Sequence, residues 1–301
     1  MCRLFGFRSA VPSKAHRSLL QAENALGLQS HLHPDGWGIG WFVDDEAYII
    51  KSANAAHACE RFRKASAVLE SHTFLVHVRR ATVGVIDAQN AHPFRHGRWL
   101  FAHNGTLFDF DRVRPFLLAE IHPVFQSLIL GDTDSEHLFY YLMSRLAAVG
   151  VSRTGRSPSD ALLVANTVRE ALIDLDAAAK LAGARRPIVN VLLTDGRIFV
   201  AHRAGMPLYL STQKIHCAEF DTCLASKVCM LHERPAGVAV NHLLVASEPI
   251  GYAENVWEEV VDGTTLALDE GFMLEQIAPP AGWEAPVLPE EFKALAAPSS
   301  T

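Results

Sequence analysis

The chain has 301 residues, 49% of them apolar and 20% charged, a composition that excludes disordered, collagen-like and repeat-fibre architectures and predicts one large or two ordinary globular domains. A chain of this length buries roughly three quarters of the surface its unfolded form exposes, so it needs no disulfide or metal staple to fold. With 27 Lys plus Arg against 33 Asp plus Glu, the net charge of −6 argues against nucleic acid as the main partner.

In chain order, the first feature is Cys2. Once Met1 is removed, its thiol shares a residue with a free α-amine, and an amine of pKa about 7.7–8.0 is a ready general base. Nucleophile and base then arrive together, although a cysteine at that position is by itself an ordinary residue. The stretch MCRLFGFRSAVPSK carries Arg3, Arg8 and Pro12 and lacks the apolar run of about 7–15 residues that a signal peptide needs. No stretch approaches the roughly 20 apolar residues of a membrane helix. The five scattered cysteines (Cys2, Cys59, Cys217, Cys223 and Cys229) read as reduced, which predicts a cytoplasmic protein with no membrane partner.

Hydrophobic periodicity predicts strands at Arg3–Phe7, Gly38–Phe42, Ala47–Lys51, Thr73–Arg79 and Trp99–His103, with helices at Lys14–Gln29 and His57–Leu69 between them. Trp37 and Trp41 flank glycines in a strand and read as core, while Arg61, Arg63 and Lys64 read as a solvated basic face. In HVRRATVG, residues 77–84, a strand delivers two arginines to its end. Either Arg79 or Arg80 suits a substrate carboxylate, although an isolated pair more ordinarily forms a salt-bridged edge. In FAHNGTL, residues 101–107, the Asn104 amide and a Gly105 backbone N–H can converge on one oxygen as an oxyanion hole does; without company the pair is a simple turn. A helix is predicted over Asp134–Ala148, opened by Thr133 with Glu136 as in a capping box. A carboxylate at its start, Asp134, is favoured by the helix dipole and can still reach a ligand's ammonium.

Residues 152–160, SRTGRSPSD, are the best linker candidate, followed by an Ala/Leu-rich helix to Ala182. The second half reads as antiparallel sheet: a hairpin in IVNVLLTDGRIFVAH with a two-residue Asp195-Gly196 turn, then PLYLS, NHLLVAS and a strand pair around Gly263. The predicted organisation is one α+β domain over residues 1–285, layered sheets with helices outside, and a polar tail over 286–301.

Fifteen histidines raise a metal hydrolase as the second enzyme class: His31 and His33 are spaced to share a side, and His77, His92 and His103 lie near the other candidates. No ligand spacing such as HExxH accompanies them, and Cys217, Cys223 and Cys229, six residues apart, fit no zinc knuckle.

The motifs MCRLFGF, DGWGIGW at 35–41, HVRRATVG, NAHPF at 90–94, AHNG at 102–105, GDTDSE and SEP at 247–249 together resemble the class II glutamine amidotransferases across nearly the whole chain. The resemblance implies the N-terminal-nucleophile fold, a four-layer αββα sandwich, and no cofactor or metal. It implies Cys2 as nucleophile, Asn104 and Gly105 as oxyanion hole, Arg79 on the substrate α-carboxylate with Thr82 close by and Asp134 on the α-ammonium; His92 in NAHPF reads as shaping the pocket or orienting a loop. Arg80 stands where larger members often carry an aromatic residue, and His33-Pro34 where they carry Arg-Gly. The pattern is most similar to the small stand-alone subgroup that includes the ergothioneine-pathway γ-glutamyl amide hydrolase. The implied substrate is glutamine or another γ-glutamyl small molecule, with a γ-glutamyl thioester intermediate. A separate acceptor synthase, or a silent or partner-gated ammonia-supplying subunit, is the alternative. The leaving group and the oligomeric state are not determined by any of these residues.

Overall fold

The computed structural model describes residues 2–151, 160–215, 239–251 and 255–296. Along the chain run strands β1 (Arg3–Lys14), β2 (Trp37–Val43), β3 (Glu46–Ser52), β4 (Glu70–Val78), β5 (Phe94–His96) and β6 (Trp99–Thr106), with helices α1 (Leu26–Gln29) and α2 (Glu60–Val68) between the early strands. Helices α3 (Phe110–Glu120), α4 (Pro123–Gln126), α5 (Asp134–Ala148) and α6 (Ala161–Leu181) follow. The chain then returns to sheet with β7 (Ile188–Thr194), β8 (Phe199–His202), β9 (Tyr209–Lys214), β10 (His242–Ala246), β11 (Asn255–Glu259), β12 (Thr265–Leu268) and β13 (Leu274–Ile277), and ends in α7 (Glu290–Ala296).

These strands build two antiparallel sheets, ordered β11-β9-β10-β1-β4-β2-β3 and β13-β12-β8-β7-β6-β5. Period-two alternation sorts their side chains into layers. Leu4, Leu75, Leu100, Leu192, Phe199 and Val245 fill the space between the sheets. Phe5, Trp37 and Phe74 turn outward onto Phe62 of α2 and Leu19, and Trp37 meets Phe62 edge-on at 5.2 Å. On the far side Phe101 and Val191 pack against Phe139 of α5 and Val168 of α6. The result is the four-layer αββα sandwich. At Gly38 a Cβ would collide with the His92 carbonyl, so the glycine alternation of GWGIGW lets the loop of the cis His92–Pro93 peptide lie on β2.

Several local expectations are corrected. Residues 14–29 are not one helix: β1 stays extended through Pro12 to Lys14, and only a five-residue turn at Arg17–Gln21 and the short α1 are helical. Asn24 accounts for the break, since its amide donates to Glu248 Oε1 (3.2 Å) and to the Pro249 carbonyl, while Gln29 Nε2 donates to its backbone oxygen (2.7 Å). The β7–β8 hairpin turns through four residues, 195–198, because Asp195 Oδ1 accepts both the Arg197 and Ile198 N–H groups (2.9 and 3.0 Å). The strands around Gly263 do not pair with each other: β11 joins β9 in one sheet, β12 joins β8 and β13 in the other. Helices α3 and α4 carry no signal strong enough to predict them, with Pro115 inside α3. Within the stretch read as a polar tail, Phe292 of α7 is buried against Phe108, ring centroids 5.9 Å apart. Residues 152–159 of the proposed linker and Cys217, Cys223 and Cys229 lie outside the described residues.

Candidate active site

Cys2 precedes β1 with the parity of Leu4, which directs it to the space between the sheets. Its Sγ lies 3.3 Å from the Arg80 N–H and 3.4 Å from the Arg80 carbonyl. Burial pushes the thiol above its ordinary range; the ammonium at the chain start, the Arg80 backbone and Arg79 pull it down, and Asp134 pushes it up. A thiol raised in this way stays protonated at neutral pH and requires a base.

Arg79 follows directly on β4 and is 3% exposed. Its Nη1 and Nη2 donate to the Val85 and Val83 carbonyls, both at 3.0 Å, so the guanidinium is held by backbone dipoles and has donor hydrogens to spare. The backbone at this strand end is clamped by the DGWG segment: Asp35 N–H donates to the Arg79 carbonyl (3.0 Å), Arg79 N–H to Gly36 (2.8 Å), and Ala81 N–H to Asp35 Oδ2 (2.9 Å). Arg80 itself is turned away, its Nη1 donating to the Leu32 carbonyl (3.0 Å).

Asn104 is fully buried on the inner face of β6, and its Nδ2 donates to Ser247 Oγ at 3.4 Å. The same hydroxyl accepts the Leu4 N–H at 2.9 Å, and the Ser247 N–H returns a bond to the Leu4 carbonyl at 3.0 Å. One serine thus ties the strand that follows Cys2 to the oxyanion candidate on the other sheet. Gly105 has no room for a side chain, since a Cβ would meet the Ile188 carbonyl and His103 Nε2. Thr82 Oγ1 lies 3.2 Å from Thr106 Oγ1.

Asp134 opens α5, where Thr133 Oγ1 accepts the Glu136 N–H (3.2 Å). The Glu136 carboxylate turns back to Leu130 and Gly131 N–H (3.2 and 2.6 Å), so only half of the capping box forms. Asp134 Oδ2 accepts the Leu107 N–H (2.8 Å) and Oδ1 the Ser135 hydroxyl (3.1 Å), which joins the carboxylate to the end of β6.

His92 is buried between rings, its centroid 4.2 Å from that of His77, tilted, and 4.7 Å from that of Phe94, edge-on. Burial holds both imidazoles well below the usual histidine range, with neighbouring cationic groups, Arg79 among them, acting in the same direction. His31 instead stacks on His57 at 3.8 Å. Among the described residues no three His, Cys, Asp or Glu side chains are arranged to hold a metal. Nor, among them, is any helix long and apolar enough to cross a membrane.

The residues that sequence reasoning left without a role are the supports: Asp35, Ser247 and Glu248, which pairs with the adjacent Arg3 at 3.2 Å with both side chains 3% exposed. All three fall inside the motifs DGWG and SEP, but a support is recognisable only once its partner strand is known.

The family model described as class-II glutamine amidotransferases matches residues 1–288. The chain belongs to the class II glutamine amidotransferases. Within this enzyme family it is similar to an uncharacterized protein of Methanocaldococcus jannaschii, 32% identical over 155 residues, spanning 48% of this chain and 39% of that relative's length. It is also 32% identical over 162 residues to the gamma-glutamyl-hercynylcysteine sulfoxide hydrolase of Mycobacterium tuberculosis, covering 50% of this chain and 68% of that one. The glutamine aminotransferase class-II domain protein of Silicibacter pomeroyi shares the fold, with a TM-score of 0.62 at 18% identity over 92% of this chain and 99% of that structure.

Proposed function

We propose that this amidotransferase hydrolyses the side-chain amide of glutamine or a γ-glutamyl amide, with Cys2 as nucleophile. The hydrogen bonds that link the candidates carry this reading: the Arg80 N–H, next to Arg79, lies 3.3 Å from Cys2 Sγ, Ser247 Oγ joins Asn104 to the strand of Cys2, and Asp134 accepts the Leu107 N–H at the end of the strand that bears Asn104 and Gly105. Arg79 takes the substrate α-carboxylate and Asp134 the α-ammonium, which sets the amide carbonyl at the thiol. Thr82 and His92 shape the surrounding pocket. After removal of Met1 the Cys2 α-amine accepts the thiol proton, and the thiolate attacks the carbonyl carbon. The oxyanion is met by Asn104 Nδ2 and the Gly105 N–H, held in place through Ser247. The leaving ammonia or amine takes that proton from the Cys2 α-ammonium as the C–N bond breaks and the γ-glutamyl thioester forms; water, giving a proton to the α-amine, then attacks the thioester and releases glutamate and the thiol. The similarity of half of the chain to the mycobacterial hydrolase supports hydrolysis in place of transfer to a separate synthase.

The test is the intact mass of the purified protein before and after 6-diazo-5-oxo-norleucine, a glutamine-shaped electrophile, with Cys2→Ala as control. Loss of Met1 and a single adduct that vanishes in the variant are expected. Retained Met1, or no adduct on correctly processed protein, overturns the reading.

A further inference from the structure

Four arginines are buried among the described residues: Arg3, Arg8, Arg79 and Arg98. Arg3 is paired with Glu248 and Arg98 with Asp45. Among the described residues neither Arg79 nor Arg8 makes a contact ion pair, and both are held by backbone carbonyls instead; Asp195, Glu270 and Asp269 act on Arg8 only across a longer distance. A guanidinium withdrawn from water without a carboxylate is costly, and a fold that keeps one has left it a counter-ion to find.

Arg8 shares the inner face of β1 with Leu4, six residues beyond Cys2 and therefore about 20 Å away along an extended strand. It is 5% exposed. Its Nη1 donates to the Gly196 carbonyl (2.6 Å) and Thr73 Oγ1 (3.3 Å), the guanidinium carbon sits 4.7 Å from the centre of the Phe272 ring, and Nε makes no hydrogen bond. Arg8 lines a cleft of about 330 Å³, together with Phe42, Phe272, Asp44, Glu270 and Arg197. That volume lies in the range of small-molecule pockets. Arg197 is already taken by Asp45 at 2.7 Å. Asp44 and Glu270, both exposed, form no ion pair among the described residues. One end of the cleft is thus a buried cation with no carboxylate in contact, the rim carries Asp44 and Glu270 with no cation in contact, and Phe42 and Phe272 supply apolar lining; Glu270 reaches Arg8 and Arg197 only through longer-range attraction.

We propose that this cleft is a second small-molecule site, separate from the Cys2 site, for a zwitterion whose carboxylate meets Arg8 and whose ammonium meets Asp44 and Glu270. The occupant would join the inner face of β1, the β2–β3 turn, the β7–β8 loop and the loop before β13. Both charges are needed: a bare carboxylate forfeits the rim and a bare amine forfeits Arg8.

The test is titration calorimetry on the full chain carrying Arg79→Ala, which removes the carboxylate contact proposed at the Cys2 site, with L-alanine, L-glutamate and γ-aminobutyrate as probes and propionate and propylamine as single-charge controls. At least one zwitterion is expected to bind with a Kd of about 1 mM or tighter, and the controls about tenfold more weakly or worse. Arg8→Met should abolish that binding; because a buried change can unfold the protein, the surface pair Asp44→Asn with Glu270→Gln is the second variant, expected to weaken it about tenfold. The proposal is overturned if none of the zwitterions binds, if a single-charge control binds as well, or if binding survives the rim variant unchanged.

Discussion

The two ends of β1's inner face each hold a buried arginine by uncharged partners, Arg79 near Cys2 and Arg8 at the far end, but they differ in what surrounds it. Beyond Arg8, the β2–β3 turn and the β7–β8 loop are cross-linked by counter-ions, Asp45 bridging Arg98 at 3.1 Å and Arg197 at 2.7 Å. Around Cys2 the charged groups are held by uncharged partners: Arg79 by two carbonyls, Asp134 by an amide N–H and a hydroxyl. An ion pair consumes the field of both members, whereas a charge fixed by backbone dipoles keeps most of its own for a ligand. Rigidity without neutralisation is what a site for a charged substrate requires, and Leu4 and the Phe199 contact at Gly6 keep the two ends apart with an apolar middle.

Breaking the Cys2 end should give the largest effect. Cys2→Ala is expected to lower kcat for glutamine or γ-glutamyl amide hydrolysis by at least about 10⁴-fold with an unchanged unfolding midpoint; wild-type turnover in that variant removes the mechanism. Asn104→Ala should cost about 10²–10³-fold in kcat with little change in KM, as loss of one oxyanion donor does, and a pure KM effect would reassign the residue to ground-state binding. Arg79→Ala or Asp134→Ala should instead raise KM, and normal KM values in both would refute their placement at the amino-acid end.

Acid sharpens the comparison. Burial lowers His77, His92 and His103 near Cys2, and it lowers His202, beneath Trp283, to about 4. A histidine whose folded pKa lies below its unfolded value of about 6.5 binds its proton more readily when unfolded, so its contribution is complete above about 6.5 and falls as the pH drops toward 4. For His202 alone that loss is roughly 3 kcal/mol. Denaturant midpoints measured from pH 7 down to 4 should fall steadily, and a flat profile would mean that these rings are not buried in solution. The smallest effect belongs to the cross-linked turn. The Asp45 carboxyl is held down to about 2 chiefly by its hydrogen bond to Arg197, but the side chain is 57% exposed, so Asp45→Asn should cost no more than about 1 kcal/mol. A larger loss would show that turn to be as critical as the Cys2 end.

The family and its layered fold were legible, and the candidate residues could be named, because the motifs are short contiguous strings in which a strand or helix end carries a polar side chain beside a turn signal. HVRRATVG and GDTDSE are of this kind. Asp35, Ser247 and Glu248 act at a distance in sequence, Ser247 bonding Leu4 across 243 positions, and no local pattern encodes such a partner. Residues 14–29 misled for a related reason: their apolar spacing suits a helix, but Asn24 is captured by Glu248 and Pro249 from far along the chain, and tertiary bonding overrode local preference. Gly263 looked like a hairpin because a turn residue cannot announce whether the next strand returns to the same sheet or crosses to the other.

The bond from the Leu107 N–H to Asp134 Oδ2 makes the carboxylate assigned to the substrate ammonium a splint for the backbone two residues past Gly105. On that assignment, an incoming amine competes for an oxygen that also sets where the oxyanion donors stand. A γ-glutamyl compound with a free α-amine and its N-acylated counterpart would then differ in how fast the bond breaks as well as in how tightly each is held, so selectivity would be written into turnover itself.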